Sequence, residues 1–171
     1  MSAEIEAIDI CKRIDSASYL FLDRLYEPRD NALTIILQEA VANESKGGPR
    51  TIAGITLDGY APIEPGPGCS IFTLHWKLYV SYCVTEEMHG SCGKYEDEVY
   101  TGRLLREYSK SHFLEFTAKD TGAHSDPYRH FKIACLNHNI DIVATQMPEL
   151  GILSREEFGS LEANLKQPAI H

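Results

Sequence analysis

The sequence predicts an α+β protein: mainly antiparallel β sheet or an open barrel, with short terminal helices. Three observations carry this. β-Branched and aromatic residues gather in runs of alternating polarity, short loops bearing Gly, Pro, Asn or Asp join those runs, and helical spacing is confined to the ends and one interior segment. Consecutive strands without helical crossovers pair antiparallel. The 171 residues suit one domain with a real core, read as a single globular domain over 1–171.

In "SAEIEAIDICKRI", Ile5, Ile8, Cys11 and Ile14 recur at intervals of three, which predicts a short amphipathic helix, although Ile10 falls off the stripe. "YLFLDRLY" and "ALTIILQEAVA" flank Pro28, Asp30 and Asn31, good turn residues, and so predict a hairpin. "NESKGGPR" reads as a loop, "TIAGITLDGY" as a strand and "APIEPGPG" as a rigid connector excluded from a sheet interior. In "IFTLHWKLYVSYCV" the apolar row Phe72, Leu74, Trp76, Leu78, Val80, Tyr82 and Val84 alternates without a fault, predicting one long strand over 71–84. "TEEMHGSCGKYEDE" is a charged loop, and "VYTGRLLREY" a strand antiparallel to the long one. "SKSHFLEFTAK" can open a helix capped by Ser109 or Ser111, although strand stays open for 109–119. "DTGAHSDP" is a loop and "YRHFKIACLNHNIDIVAT" is strand-forming. Ser154 with Glu157 makes a capping box for a last helix whose stripe is Phe158, Leu161 and Leu165.

Composition narrows the function classes. Apolar residues make up 43% and charged residues 24%, unlike a disordered chain. No apolar run is long enough to span a bilayer, and the first residues lack a signal-peptide pattern, so a membrane role is not expected and the cytoplasm is the expected compartment. The five cysteines are odd in number and irregularly spaced, which argues for reduced thiols over a disulfide framework. A net charge of −9 repels phosphate backbones, so no nucleic acid is expected as partner. The same charge keeps a protein soluble, or steers it to a partner with a basic surface.

"ACLNHNID" concentrates candidate chemistry. His130, Cys135 and His138, with Asp141 or His124, are metal-donor types, but the lone C-x-x-H pair is mirrored nowhere else. A Cys–His nucleophile would use Cys135 with His138 or His130, oriented by Asn137 or Asp141. The plainer reading counts parity. Phe131, Ile133 and Cys135 share one face, whereas Ile140, Ile142 and Ala144 continue on the other parity, as at a β-bulge. Cys135 is then a buried small hydrophobe, and His138 is exposed or hydrogen-bonded at the bulge.

Two further groups stand out. The polar row Thr73, His75, Lys77, Tyr79 and Ser81 suits a ligand groove or a solvated sheet face, with Tyr79 and Trp76 of types that anchor interfaces. Glu86, Glu87, Glu96, Asp97 and Glu98 form an acidic loop that lacks a calcium-loop pattern and suits contact with a basic partner. Walker, dinucleotide-fold, nucleophile-elbow and H-E-x-x-H signatures are all missing, and no cofactor is implied.

The segments "EPRDNALTIILQEA", "HWKLYVSYCVTEE" and "SKSHFLEF…YRHFKIACLNHNIDIVAT" together resemble a family of bacterial cytosolic proteins with the same segment order, over most of residues 19–148. The resemblance implies no particular catalytic residue. Its small, acidic, single-domain character is similar to that of immunity proteins that neutralise bacterial toxins. The sequence therefore points first to a non-enzymatic protein-binding module of the immunity type. The alternative is a small-molecule-binding or hydrolytic β-domain built on His75, Tyr79, Cys135 and His138.

Overall fold

The computed structural model describes residues 3–89, 95–121 and 127–165, of which 3–6, 57 and 162–165 are given as backbone only. Helix α1 (Ala3–Ser16) leads into strand β1 (Tyr19–Tyr26), which turns at Asn31, in left-handed backbone at φ 62°, and returns as β2 (Leu33–Ala42). After a single 3-10 turn at Glu44–Lys46 come β3 (Gly48–Ile52), β4 (Ile55–Tyr60), the two-residue β5 (Ile63–Glu64), β6 (Ile71–Trp76) and β7 (Tyr79–Glu86). Then follow β8 (Val99–Thr101), β9 (Leu105–Lys110), α2 (His112–Asp120), β10 (Arg129–Ala134), β11 (His138–Ala144), β12 (Glu149–Leu153) and α3 (Arg155–Leu165).

All pairings are antiparallel. The first sheet has the order β1-β2-β6-β12, with β5 beside the end of β2, and the second has the order β7-β11-β10-β9-β8. Strands β3 and β4 form a separate hairpin. The molecule is thus α+β, with two open five-stranded sheets, the separate β3–β4 hairpin and no closed barrel among the described residues.

The two sheets share one apolar core. Leu33, Ile35 and Leu37 of β2 with Phe72, Leu74 and Trp76 of β6 meet Phe131, Ile133, Ile140 and Ile142 of the second sheet, and the Trp76 and Phe131 rings lie 5.8 Å apart. Full burial of each such side chain contributes about 1.5–3 kcal/mol. Helix α1 adds Ile10 and Ile14. It is clamped by reciprocal bonds: Arg103 Nε donates to the Asp15 carbonyl at 2.7 Å, and Asp15 Oδ1 accepts from Leu104 and Leu105 N–H at 2.8 and 3.0 Å.

Several sequence expectations are corrected. The run 71–84 is two strands in different sheets. Alternation continues past the break, but Leu78 is 54% exposed, and Tyr79 N–H donates to the Asn31 carbonyl, turning β7 out of the first sheet. "VYTGRLLREY" is a hairpin, β8–β9, whose Gly102 has φ +86° and lies where a Cβ would come 2.1 Å from the Leu105 carbonyl oxygen. Strand β9 pairs with β10, and the partner of β7 is β11. "TIAGITLDGY" also folds back, at Ala53 and Gly54 with φ 51° and 82°, a left-handed pair that suits tight hairpins. In α1 the buried positions are Ile10 and Ile14, spaced four apart, while Ile8 is 52% exposed. The expected bulge at "LNHN" is the β10–β11 hairpin turn, with Ala134 opposite Asn139 and Cys135 N–H donating to the His138 carbonyl at 2.9 Å. Four residues lie between the paired Ala134 and Asn139, and an even-numbered connection of this kind changes apolar parity just as a bulge does.

Other expectations hold. Ser111 caps α2, its hydroxyl accepting from Leu114 N–H at 3.0 Å. The Ser154–Glu157 capping box opens α3, with Glu157 N–H donating to Ser154 Oγ at 3.2 Å and Ser154 N–H donating to Glu157 Oε2 at 2.8 Å. Among the described residues no helix is long and apolar enough to cross a membrane.

Candidate functional site

The outer face of the second sheet forms the floor of a groove of about 1120 Å³. Register determines what reaches it. Asp141 lies opposite Cys83 on one side and Lys132 on the other, and Lys132 lies opposite Arg106. One row across four strands therefore reads Cys83, Asp141, Lys132, Arg106. The neighbouring row includes His130 opposite Tyr108, which is in turn opposite Tyr100. Helix α2 supplies His112 and Phe113 as one wall, and Glu87, His89, Tyr95, Glu96 and Glu98 stand around the rim.

Beneath one end runs a hydrogen-bonded line that the sequence did not disclose. Ser111 Oγ lies 2.7 Å from His130 Nδ1, and His130 Nε2 lies 3.0 Å from Asp141 Oδ1. Asp141 accepts from Nε2–H, which leaves Nδ1 to accept the serine O–H. The order Ser–His–Asp matches the logic of a hydrolase triad. Access rules that role out in this conformation. Ser111 is 1% exposed and already accepts the Leu114 N–H, and His130 is 2% exposed between Tyr108, stacked at 4.5 Å, and Phe113 at 5.4 Å. The line instead fastens the start of α2 to β10 and β11 and fixes the Asp141 carboxylate in the groove floor, where Lys132 Nζ approaches Oδ2 at 3.4 Å.

The expected acidic loop divides in two. Glu86 pairs with His89 at 2.7 Å, and Asp97 receives Lys110 and His112, each at 2.9 Å. Those two bonds, Lys110 first, hold the Asp97 carboxyl at about 2. Glu98 accepts from His112 N–H at 3.0 Å, beside the N-terminus of α2. Glu87 and Glu96 have no ion-pair partner among the described residues and line the groove with Glu98. Two basic groups also line the groove: Lys132, whose Nζ lies 3.4 Å from Asp141, and Arg106, whose Nε donates to the Arg103 carbonyl at 3.0 Å and whose guanidinium lies 4.7 Å from the centre of the Tyr100 ring. The Tyr95 ring lies tilted against that of His112, centroids 4.6 Å apart, and stays 58% exposed.

The remaining candidates are dispersed. Tyr79 lies outside the groove, donating to Glu27 at 2.7 Å beside Tyr82, and that bond pushes its phenol up to about 12. His75 belongs to the first sheet, where its Nδ1 meets Thr34 Oγ1 at 2.9 Å. Cys135 is core, and burial raises its thiol to about 12. That removes the thiolate a nucleophilic Cys135 would need. His138 is half-buried, its Nδ1 sealed without a partner among the described residues. His130 faces the groove side of β10, whereas Cys135 faces the core, so the expected donor set does not converge. Among the described residues no group of three or more His, Cys, Asp or Glu side chains could hold a metal ion. His124 lies outside the described residues.

Asp141, Lys132, Arg106 and Cys83 could not be grouped from sequence, because only the registers of β7, β11, β10 and β9 place them in one row. No family model, curated protein or solved structure matches this chain.

Proposed function

We propose that this chain is a non-enzymatic protein-binding module of the immunity type, acting in the cytoplasm, whose sheet groove receives a basic segment of a partner protein such as a toxin. The observation that carries the reading is the groove rim. Glu87, Glu96 and Glu98 face it without an ion-pair partner among the described residues, beside the exposed Tyr95 ring. Carboxylates with aromatic faces between them suit Lys and Arg side chains, by ion pairing and by cation–π contact. The net charge of −9 steers a basic partner toward this surface. The Ser111 seal and the raised Cys135 thiol speak against a hydrolase.

The experiment is a binding measurement against a basic protein encoded beside this chain's gene, across a salt series. Replacing Glu87, Glu96 and Glu98 with Gln weakens binding at least tenfold and flattens the salt dependence, whereas Glu86→Gln, already paired to His89, changes it little. Salt-independent binding, or a triple variant that binds like the parent, overturns the reading. A small-molecule-binding domain is the second reading, favoured by the fixed Asp141 in the groove floor. A metabolite whose thermal stabilisation disappears in Asp141→Asn would replace the first reading with the second.

A further inference from the structure

We propose that β7 is a dimerisation edge: two copies of this chain pair their β7 strands antiparallel about a two-fold axis at Cys83, joining two five-stranded sheets into one. Among the described residues, β7 alone of the outer strands in the two large sheets is both long and bare. Strand β1 has its free edge taken by the turn after β10, where Leu136 N–H donates to the Leu20 carbonyl and Asn137 bonds both backbone groups of Leu22. Helix α1 packs against β12, and β8 has three residues. Strand β7 spans eight residues and pairs only with β11. Outside β11 its backbone bonds one group among the described residues, the Asn31 carbonyl that accepts from Tyr79 N–H. Val84 stays 41% exposed beside this edge. A row of unpaired N–H and C=O groups of this length is a template for another strand.

The side chains select the occupant. From Tyr79 to Thr85 the strand carries no charge, no proline and no glycine, so it lacks the usual devices that keep edges apart. A basic segment finds no counter-charge along that run, and Glu86 at its end is already paired with His89. An uncharged edge is instead where two molecules of net charge −9 can approach. The register follows from the ends of the free stretch. Asn31 occupies Tyr79, and the chain passes after Glu86 into the 3-10 turn Glu87–His89, so the free run is 80–86 with Cys83 at its centre. Tyr82 packs on the core side, while Cys83 and Thr85 line the groove. Reversal about Cys83 sets Val84 opposite Tyr82 and Thr85 opposite Ser81. β-Branched against aromatic and hydroxyl against hydroxyl are pairs that stabilise antiparallel strands. Each Glu86 falls opposite Val80, which keeps the two carboxylates at opposite ends. One such edge per chain closes the assembly at a dimer and leaves nothing to extend a fibre.

Opposite residues of an antiparallel pair have Cα atoms roughly 4.5–5.5 Å apart, inside the span of roughly 4.4–6.8 Å that a disulfide bridges. Cys83, an exposed free thiol, therefore reports the axis. The test applies sedimentation equilibrium and diamide cross-linking to the full chain without any partner. Diamide takes up the two electrons and two protons released as two thiols join. The mass doubles as concentration rises, and peptide mass spectrometry finds Cys83 joined to Cys83. Cys83→Lys and Cys83→Glu each set like charges face to face and lose the dimer, whereas an equimolar mixture of the two regains it. Cys83→Ser dimerises and loses only the cross-link. A chain that stays monomeric, a dimer cross-linked without the Cys83 pair, or Lys and Glu variants that each dimerise like the parent overturns the proposal. Protection of Cys83 only when a basic protein is added assigns the edge to that protein and overturns it too. Should the charged variants not fold, the cross-link in the unaltered chain decides the question.

Discussion

Asn137 sits in the turn between β10 and β11 and does more than reverse the chain. Its Oδ1 accepts the Leu22 N–H and its Nδ2 donates to the Leu22 carbonyl, both at 2.9 Å, while Leu136 N–H donates to the Leu20 carbonyl at 2.8 Å. One side-chain amide thus imitates a strand partner for the edge of β1, where the register slips between Leu22 and Arg24. It ties the second sheet to the first. Asn137→Ala leaves both backbone groups of Leu22 unpaired and costs about 1–3 kcal/mol, measured by denaturant unfolding. Asn137→Asp keeps the acceptor, loses the donor, and falls between. At Asp97 the sign of the pH effect follows from its pairing. Its carboxyl sits at about 2 against an ordinary 3.8, because Lys110 and His112 bond to the ionised form. A folded pKa lowered in this way gives stability that is complete above about pH 4 and lost as pH falls toward 2. A carboxyl NMR titration of Asp97 therefore has its midpoint near 2 and moves up toward 3.8 in Lys110→Gln. An unshifted midpoint in the parent chain contradicts the pairing.

At the scale of elements, two helix starts that look alike in sequence differ in what they hold. Ser154 and Glu157 cap α3 at the surface, by bonds within four residues of chain. Ser111 caps α2 and also binds the buried His130, so its hydroxyl connects helix to sheet. Ser111→Ala costs about 2–3 kcal/mol in thermal or chemical unfolding, since it loses the cap and leaves His130 Nδ1 sealed without a donor. Ser154→Ala costs about 1 kcal/mol or less. The caps were legible because they are local, as was the hairpin at Asn31. Strand β12 was not: Gly151 and Glu149 blur its alternation, and it finds β6 only through packing, with Gly151 pressed against Thr73. The break in 71–84 was hidden for a different reason. Alternation reports which way side chains point, and it carries no information on whether a strand continues in the same sheet. The acidic rim was legible as composition, yet which carboxylates are free depended on Lys110, His112 and His89 folding back onto Asp97 and Glu86.

For the whole molecule, strand order matters more than strand count. The first sheet takes β1, β2 and β6 from the first half of the chain and its last strand, β12, from residues 149–153. All of the second sheet lies between β6 and β12 in sequence. Helix α1, the first element, makes its most extensive contacts with β12, the last strand. During synthesis the nascent chain must therefore hold one flank of β6 open, with unpaired N–H and C=O groups, until residues 149–153 have been made. Such a flank is a template for pairing with another chain. A chain ending at Thr145 is accordingly expected to sediment as aggregate, and a separate peptide spanning 147–165, added during refolding, to return it to the supernatant. The first sheet is closed by β12, and until that strand arrives it depends on what else in the cell can cover the flank of β6.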